Sequence, residues 1–191
     1  MSINTCPGFK AGSFTDSGTQ QFGQDIPRVT DTGGKTVTGI GGTEAFKLEN
    51  PYVYYRIDSL KGLKRCCSHA VSDLDWHADL PVIRRFYARF GHSVNPDEFG
   101  PYVGNPAAII RDGEIVSFAI PLSFREGETE IGGVATVPDE QGKGCCKALI
   151  SELAFRILQE GKAVTLTTEK TNQRMQKAAE SIGMKQQPEN R

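Results

Sequence analysis

Apolar positions change their spacing along this chain, and the changes mark out its elements. Residues 1–45 carry scattered hydrophobes among Gly, Ser, Thr, Asp and Gln, too few to offset the entropy lost on ordering. The pattern predicts a polar N-terminal arm over residues 1–48, extended or disordered in part, and one folded domain over 49–191. Within the arm, Lys35–Ile40 has strand character that Gly41-Gly42 cuts short. From Pro51 the pattern tightens. Tyr52-Val-Tyr-Tyr-Arg-Ile57 is rich in β-formers and predicts the domain's first strand. Leu80–Phe90 places Ile83, Phe86, Tyr87 and Phe90 on one helical side, with Asp79 and Pro81 near its start and Gly91 as its stop. Asn95–Pro101 reads as loop.

Two apolar runs, Ala107–Ile110 and Ile115–Ile120, flank Arg111-Asp-Gly-Glu114, and Asp-Gly between such runs is a strong hairpin signal. A strand at Ile131–Val137 follows and runs through a glycine-rich turn into a helix whose stripe is Cys146, Leu149, Ile150, Leu153 and Ile157. Gly161 ends that helix, and Ala163–Thr167 alternates as a strand, completing a strand–helix–strand crossover. A last helix has Thr171 or Asn172 as cap, Met175, Ala178, Ala179 and Ile182 on one face, and Gly183 as stop. An antiparallel hairpin followed by a crossover predicts an α/β fold: a mostly antiparallel mixed sheet with one parallel pair and helices on both faces. After Gly183-Met184 there is room for one short strand, which leaves a sheet edge for another segment to cover. The N-terminal arm is a candidate for that role.

Composition narrows the function. A net charge of −1 over 191 residues argues against a nucleic-acid or membrane partner held by bulk electrostatics. No run approaches the ~18 apolar residues of a membrane span, and the polar beginning lacks a signal-peptide core, so a cytoplasmic protein is expected. The five cysteines fall as Cys6, Cys66-Cys67 and Cys145-Cys146, without C-x-x-C spacing or a histidine at zinc-finger distance. Reduced thiols and no metal site are expected.

The candidate chemistry lies in the turn. Pro138 cannot continue a central ladder, and Gly142 and Gly144 let the main chain pass close to a ligand before Cys145 opens the helix. The first N–H groups of a helix have no intrahelical acceptor, and its dipole favours an anion there. Spacing decides between nucleotide motifs. A Walker loop requires glycine where Val137 stands and a hydroxyl residue at Gly144; a dinucleotide fingerprint requires glycine at Lys147. Gly33-Gly-Lys-Thr36 has Val29 in place of the first Walker glycine and reads as a turn.

Gln141-Gly-Lys-Gly-Cys-Cys146 resembles motif A of the GNAT superfamily of acyl-CoA-dependent N-acetyltransferases, Q/R-x-x-G-x-G/A after a strand, with Cys146 in place of the final small residue. Asn172 and Gly183-Met184 match the family's later pattern, whereas Ala179 stands where a tyrosine is usual. The resemblance is firm over about 105–184. It implies acetyl-CoA as cosubstrate, with the backbone of Val134, Ala135 and Thr136 pairing with the pantetheine arm. Gln141, Gly142, Lys143, Gly144, Cys145 and Cys146 would hold the pyrophosphate, and Asn172 would lie near the pantetheine end; simple helix capping is an equal reading of Asn172. Lys143 and Lys147 either meet phosphates or are solvated.

Glu130, then Glu128, are the candidates for the base that deprotonates the acceptor amine. Each also reads as a plain exposed hairpin glutamate. Cys145 or Cys146 at a helix start invites a covalent acyl-enzyme, but small size accounts for both. The resemblance implies direct acetyl transfer to a primary amine of a small molecule or peptide. Ala179 and the short C-terminal end keep open an acyl-CoA sensor without turnover, and another phosphate ligand at the same helix is a third reading. Oligomeric state is not legible.

Overall fold

The computed structural model describes residues 50–188, so the arm at 1–48 and the Lys35–Ile40 segment lie outside the described residues. The strands are β1 (Tyr52–Ile57), β2 (Ser72–Asp73), β3 (Ala107–Arg111), β4 (Glu114–Arg125), β5 (Glu128–Thr136), β6 (Ala163–Glu169) and β7 (Lys185–Gln187). The α-helices are α1 (Leu80–Ala88), α2 (Cys145–Gln159) and α3 (Gln173–Ser181). One seven-stranded sheet has the order β2-β3-β4-β5-β6-β1-β7. Among the described residues, only β5 and β6 pair in parallel.

The expected hairpin forms, with Asp112 at φ 51 and Gly113 at φ 76 between the paired Arg111 and Glu114. Two successive positive φ values are those of a type I′ turn, whose twist matches the flanking strands. All residues from Ile115 to Ile120 are buried, so β4 is covered on both faces. Phe86 and Tyr87 of α1 pack on Phe118, with ring centroids 5.4 and 5.5 Å away. Trp76 joins them at 6.0 Å and donates its indole N–H to the Gly104 carbonyl at 3.0 Å. On the opposite side α2 buries Cys145, Leu149, Ile150, Leu153 and Ile157.

The edge of β6 is covered by β1, which lies antiparallel to it between β6 and β7. Among the described residues the sheet is thus closed on that side by a strand from the beginning of the folded domain, with the short C-terminal β7 outside it. The chain then passes from β1 back across α2 to β2 at the far edge of the sheet. Among the described residues, no helix is long and apolar enough to cross a membrane.

Candidate functional site

β5 is paired on both sides only at its start. Glu128, Thr129 and Glu130 face Ala163, Val164 and Thr165 of β6, and no pair joins the two strands beyond that. β5 nevertheless runs on to Thr136 and β6 to Glu169. The strands therefore part, and among the described residues the Ile131–Thr136 edge, roughly 20 Å long at strand rise, lies open on the β6 side. A bulge contributes to the parting. Phe118 pairs with Ala135 but Ile120 with Gly132, so β5 holds an extra residue there, and Gly133 takes φ 58. The far end of β5 is held to β4, with Thr136 Oγ1 2.8 Å from Ser117 Oγ and the Val137 N–H donating to the Val116 carbonyl at 2.9 Å.

The glycine turn stands at the open end. Pro138–Glu140 form a single 3₁₀ turn, Gly142 has φ 78, and Gly144 has φ 84 as the N-cap of α2. With glycine in that place, no cap side chain engages the helix's first N–H groups. Gln141 spans the mouth of the opening. Its amide nitrogen donates to the Thr136 carbonyl at 3.2 Å, and its amide oxygen accepts from Arg174 Nη1 of α3 at 3.0 Å.

Glu130 stands where the strands part. The register places Leu122, Glu130, Thr165, Arg56 and Lys185 in one row across the sheet face that α1 covers only over β4. Burial raises its carboxyl above the usual range, partly opposed by donors from Thr167 and by Arg125. Glu128, two residues earlier on the same face, is tied into ion pairs with Arg56 at 2.7 Å and Arg125 at 3.3 Å. The two sequence candidates are thus neighbours in different surroundings: burial raises the Glu130 carboxyl, and Glu128 is paired with two arginines.

The other expected residues divide in the same way. Val134 is buried, while Ala135 and Thr136 are half-buried on the open strand. The Asn172 side chain accepts the Met175 N–H at 3.2 Å and caps α3. Lys143 pairs with Glu140 at 3.0 Å, and that bond, with Arg111 nearby, holds Glu140 below the usual carboxylate range. Lys147 lies beside the Cys66 thiol, facing the segment that crosses α2. Burial pushes the Cys145 thiol up, which opposes a nucleophilic thiolate, and Cys146 packs at the core margin. Ala179 is fully buried. Tyr55 is also buried, donates to Glu180 at 3.1 Å and is pushed up to about 12, too weak an acid to protonate a thiolate of ordinary acidity, about 8.5.

Sequence reasoning did not single out Thr167, Arg174, Arg111 or Glu140, and gave His69 no role. Thr167, Arg174, Arg111 and His69 are brought to the site from distant segments, whereas Glu140 belongs to the turn itself. Among the described residues, no group of three His, Cys, Asp or Glu side chains could hold a metal ion.

Comparison with known proteins agrees with this fold. In fold, the chain is similar to a GNAT-family acetyltransferase from Novosphingobium aromaticivorans (TM-score 0.58, 18% identity, covering 71% of this chain and 59% of that one). Another similar structure is a GNAT-family acetyltransferase from Colwellia psychrerythraea (0.57, 14%, 71% and 52%). A ribosomal-protein alanine N-acetyltransferase from Escherichia coli is also similar (0.50, 22%, 60% and 76%). The match thus spans 59% of the Novosphingobium protein and 52% of the Colwellia one. No curated protein sequence matches the chain. The Acetyltransferase (GNAT) family pattern matches residues 68–184, a stretch that holds the parted strands, the glycine turn and α2. The chain belongs to the GNAT acetyltransferase family.

Proposed function

We propose that this protein is an N-acetyltransferase that moves an acetyl group from acetyl-CoA directly to a primary amine. The observation that carries this reading is the open edge of β5, which leads from the start of α2 to Glu130. Main-chain groups of Val134, Ala135 and Thr136 would pair with the pantetheine arm as an added strand would. Backbone N–H groups from Gln141 to Cys146 would take the diphosphate, where Gly142 leaves open space beside the main chain. Acetyl-CoA supplies the activated acyl group. Glu130 accepts the proton of the incoming ammonium, and its raised proton affinity suits it to that exchange. The amine nitrogen then bonds to the acetyl carbon as the carbon–sulfur bond breaks, and it gives up its second proton to water. With Ala179 offering no acid, the sulfur leaves as thiolate and takes its proton from water.

The acceptor is an amine on a small molecule or a peptide; the family includes the alanine N-acetyltransferase found among the similar structures. The absent acid at Ala179 favours a second reading, an acyl-CoA sensor without turnover. Calorimetry with acetyl-CoA, CoA and ATP tests the cofactor, and preference for ATP would refute it. Release of CoA thiol with a panel of amines, polyamines, aminoglycosides and peptides tests turnover. Tight CoA binding without amine-dependent release would select the sensor.

A further inference from the structure

The segment between β1 and β2 crosses the outer side of α2 and is pinned there at several points. The Lys64 N–H donates to the Ile182 carbonyl at 2.9 Å. Arg65 pairs with Glu152 at 2.6 Å and lies 3.7 Å from the centre of the Phe155 ring. The buried Ser151 hydroxyl accepts the Cys66 N–H at 3.0 Å. So anchored, the segment delivers His69 to the glycine turn. His69 Nε2 is 2.8 Å from the Lys143 carbonyl oxygen, and its Nδ1 is 3.3 Å from Arg111 Nη2.

The partners dictate the tautomer. A carbonyl oxygen only accepts and a guanidinium only donates, so Nε2 carries the proton and Nδ1 is the acceptor. Arg111 is itself held by Glu140 at 2.5 Å, and Glu140 also takes Lys143 Nζ at 3.0 Å. The imidazole is therefore fixed from both ends.

That bond has a geometric consequence for the turn. The Lys143–Gly144 peptide is planar and trans, so its C=O and N–H point in opposite directions. Holding the carbonyl against His69 aims the Gly144 N–H away from the crossing segment. Glycine at φ 84 gives this peptide little resistance of its own to reorientation, so the orientation depends on an outside hold.

We propose that His69 is a positioning residue for cofactor binding: it locks the Lys143–Gly144 peptide so that the Gly144 N–H faces the diphosphate. The proposal rests on reading the glycine turn as the diphosphate cradle. Glutamine at position 69 can donate through its amide nitrogen and accept through its oxygen, whereas alanine can do neither.

The test compares wild type, His69→Ala and His69→Gln. In wild type, ¹⁵N NMR should show the Nε2–H tautomer of His69. The Gly144 amide resonance should shift or broaden in His69→Ala and return in His69→Gln. CoA should bind His69→Ala about tenfold more weakly, the scale of one lost hydrogen bond, while pantetheine, which lacks the diphosphate, should bind unchanged. A Nδ1–H tautomer, an undisturbed Gly144 resonance in His69→Ala, or equal losses for CoA and pantetheine would overturn the proposal. Failure of the wild-type protein to bind CoA would instead refute the cofactor reading, and the NMR comparison would still decide the hold on the peptide.

Discussion

Gly144→Asp and Gly144→Asn form a matched pair that tests the anion site. Gly144 sits at φ 84 and ψ 0, a left-handed conformation that asparagine and aspartate adopt more readily than other side chains. A Cβ added there meets Ser68 Oγ at 3.7 Å and His69 Nε2 at 3.9 Å, ordinary contacts. Both variants should fold, each losing about 1 kcal/mol to backbone strain. Their difference is the charge. A carboxylate about 6 Å from one further unit of diphosphate charge, at an effective dielectric of about 20, costs about 3 kcal/mol. Arg111 and Lys143, two cations at this turn, are already engaged by Glu140. Solvent at this exposed turn screens part of the repulsion, leaving roughly 1–3 kcal/mol, or roughly ten- to a hundredfold in affinity. Calorimetry with CoA should therefore show the Asp variant binding that much more weakly than the Asn variant, with pantetheine affinity equal for the two. Equal CoA affinities within about twofold would mean that the diphosphate lies elsewhere, and the assignment of the turn would fail with it.

Glu130→Gln should lower kcat by roughly 10²- to 10⁴-fold, the usual contribution of a general base, and should remove the acidic limb of the pH–rate profile; a persisting limb would assign the base elsewhere. Because burial raises the Glu130 carboxyl in the folded protein, its stabilising contribution is complete below the unfolded value, about 4.3, and is lost as pH rises through the folded one. Glu130→Gln should therefore gain thermal stability relative to wild type as pH rises from acid to neutral, and a constant difference across that range would contradict the burial argument. Gly183→Ala should destabilise the domain by roughly 2–5 kcal/mol in urea unfolding, since it adds left-handed strain at φ 97 to a Cβ overlapping the Gly62 carbonyl; a loss below about 1 kcal/mol would show that this contact relaxes freely. Ser151→Ala should cost about 1–3 kcal/mol by stranding the Cys66 N–H, and unchanged unfolding would show that the crossing segment is not anchored there.

Local patterns were enough for much of this protein. The Asp112-Gly113 hairpin, the stripe of α2, the glycine turn and the cap of α3 depend on neighbours in sequence, through backbone conformation and helical spacing. Each could be read before any coordinates, as could the resemblance carried by Gln141–Cys146. Glu130 was also legible as a candidate, because position on the motif strand suffices to name it. It was ranked ahead of Glu128 there, but the different surroundings of the two were not legible, because they depend on where Arg56 and Arg125 come to rest and on the donors from Thr167.

Pairing between distant segments was decided only in three dimensions. The Tyr52–Ile57 run has the character of a strand, but its own residues do not say that it will lie between β6 and β7, because any half-buried strand meets the same local requirements. The role of His69 is hidden for a related reason: a histidine in a polar stretch carries no signal until the chain crosses α2 and brings it within 2.8 Å of the Lys143 carbonyl. Sequence by itself determined the elements and the chemistry of the turn, since these follow from short-range sterics and periodicity. Tertiary structure decided which edge β1 covers, how far β5 and β6 stay paired, and which side chains hold the turn in place, since these follow from contacts whose partners are far apart along the chain.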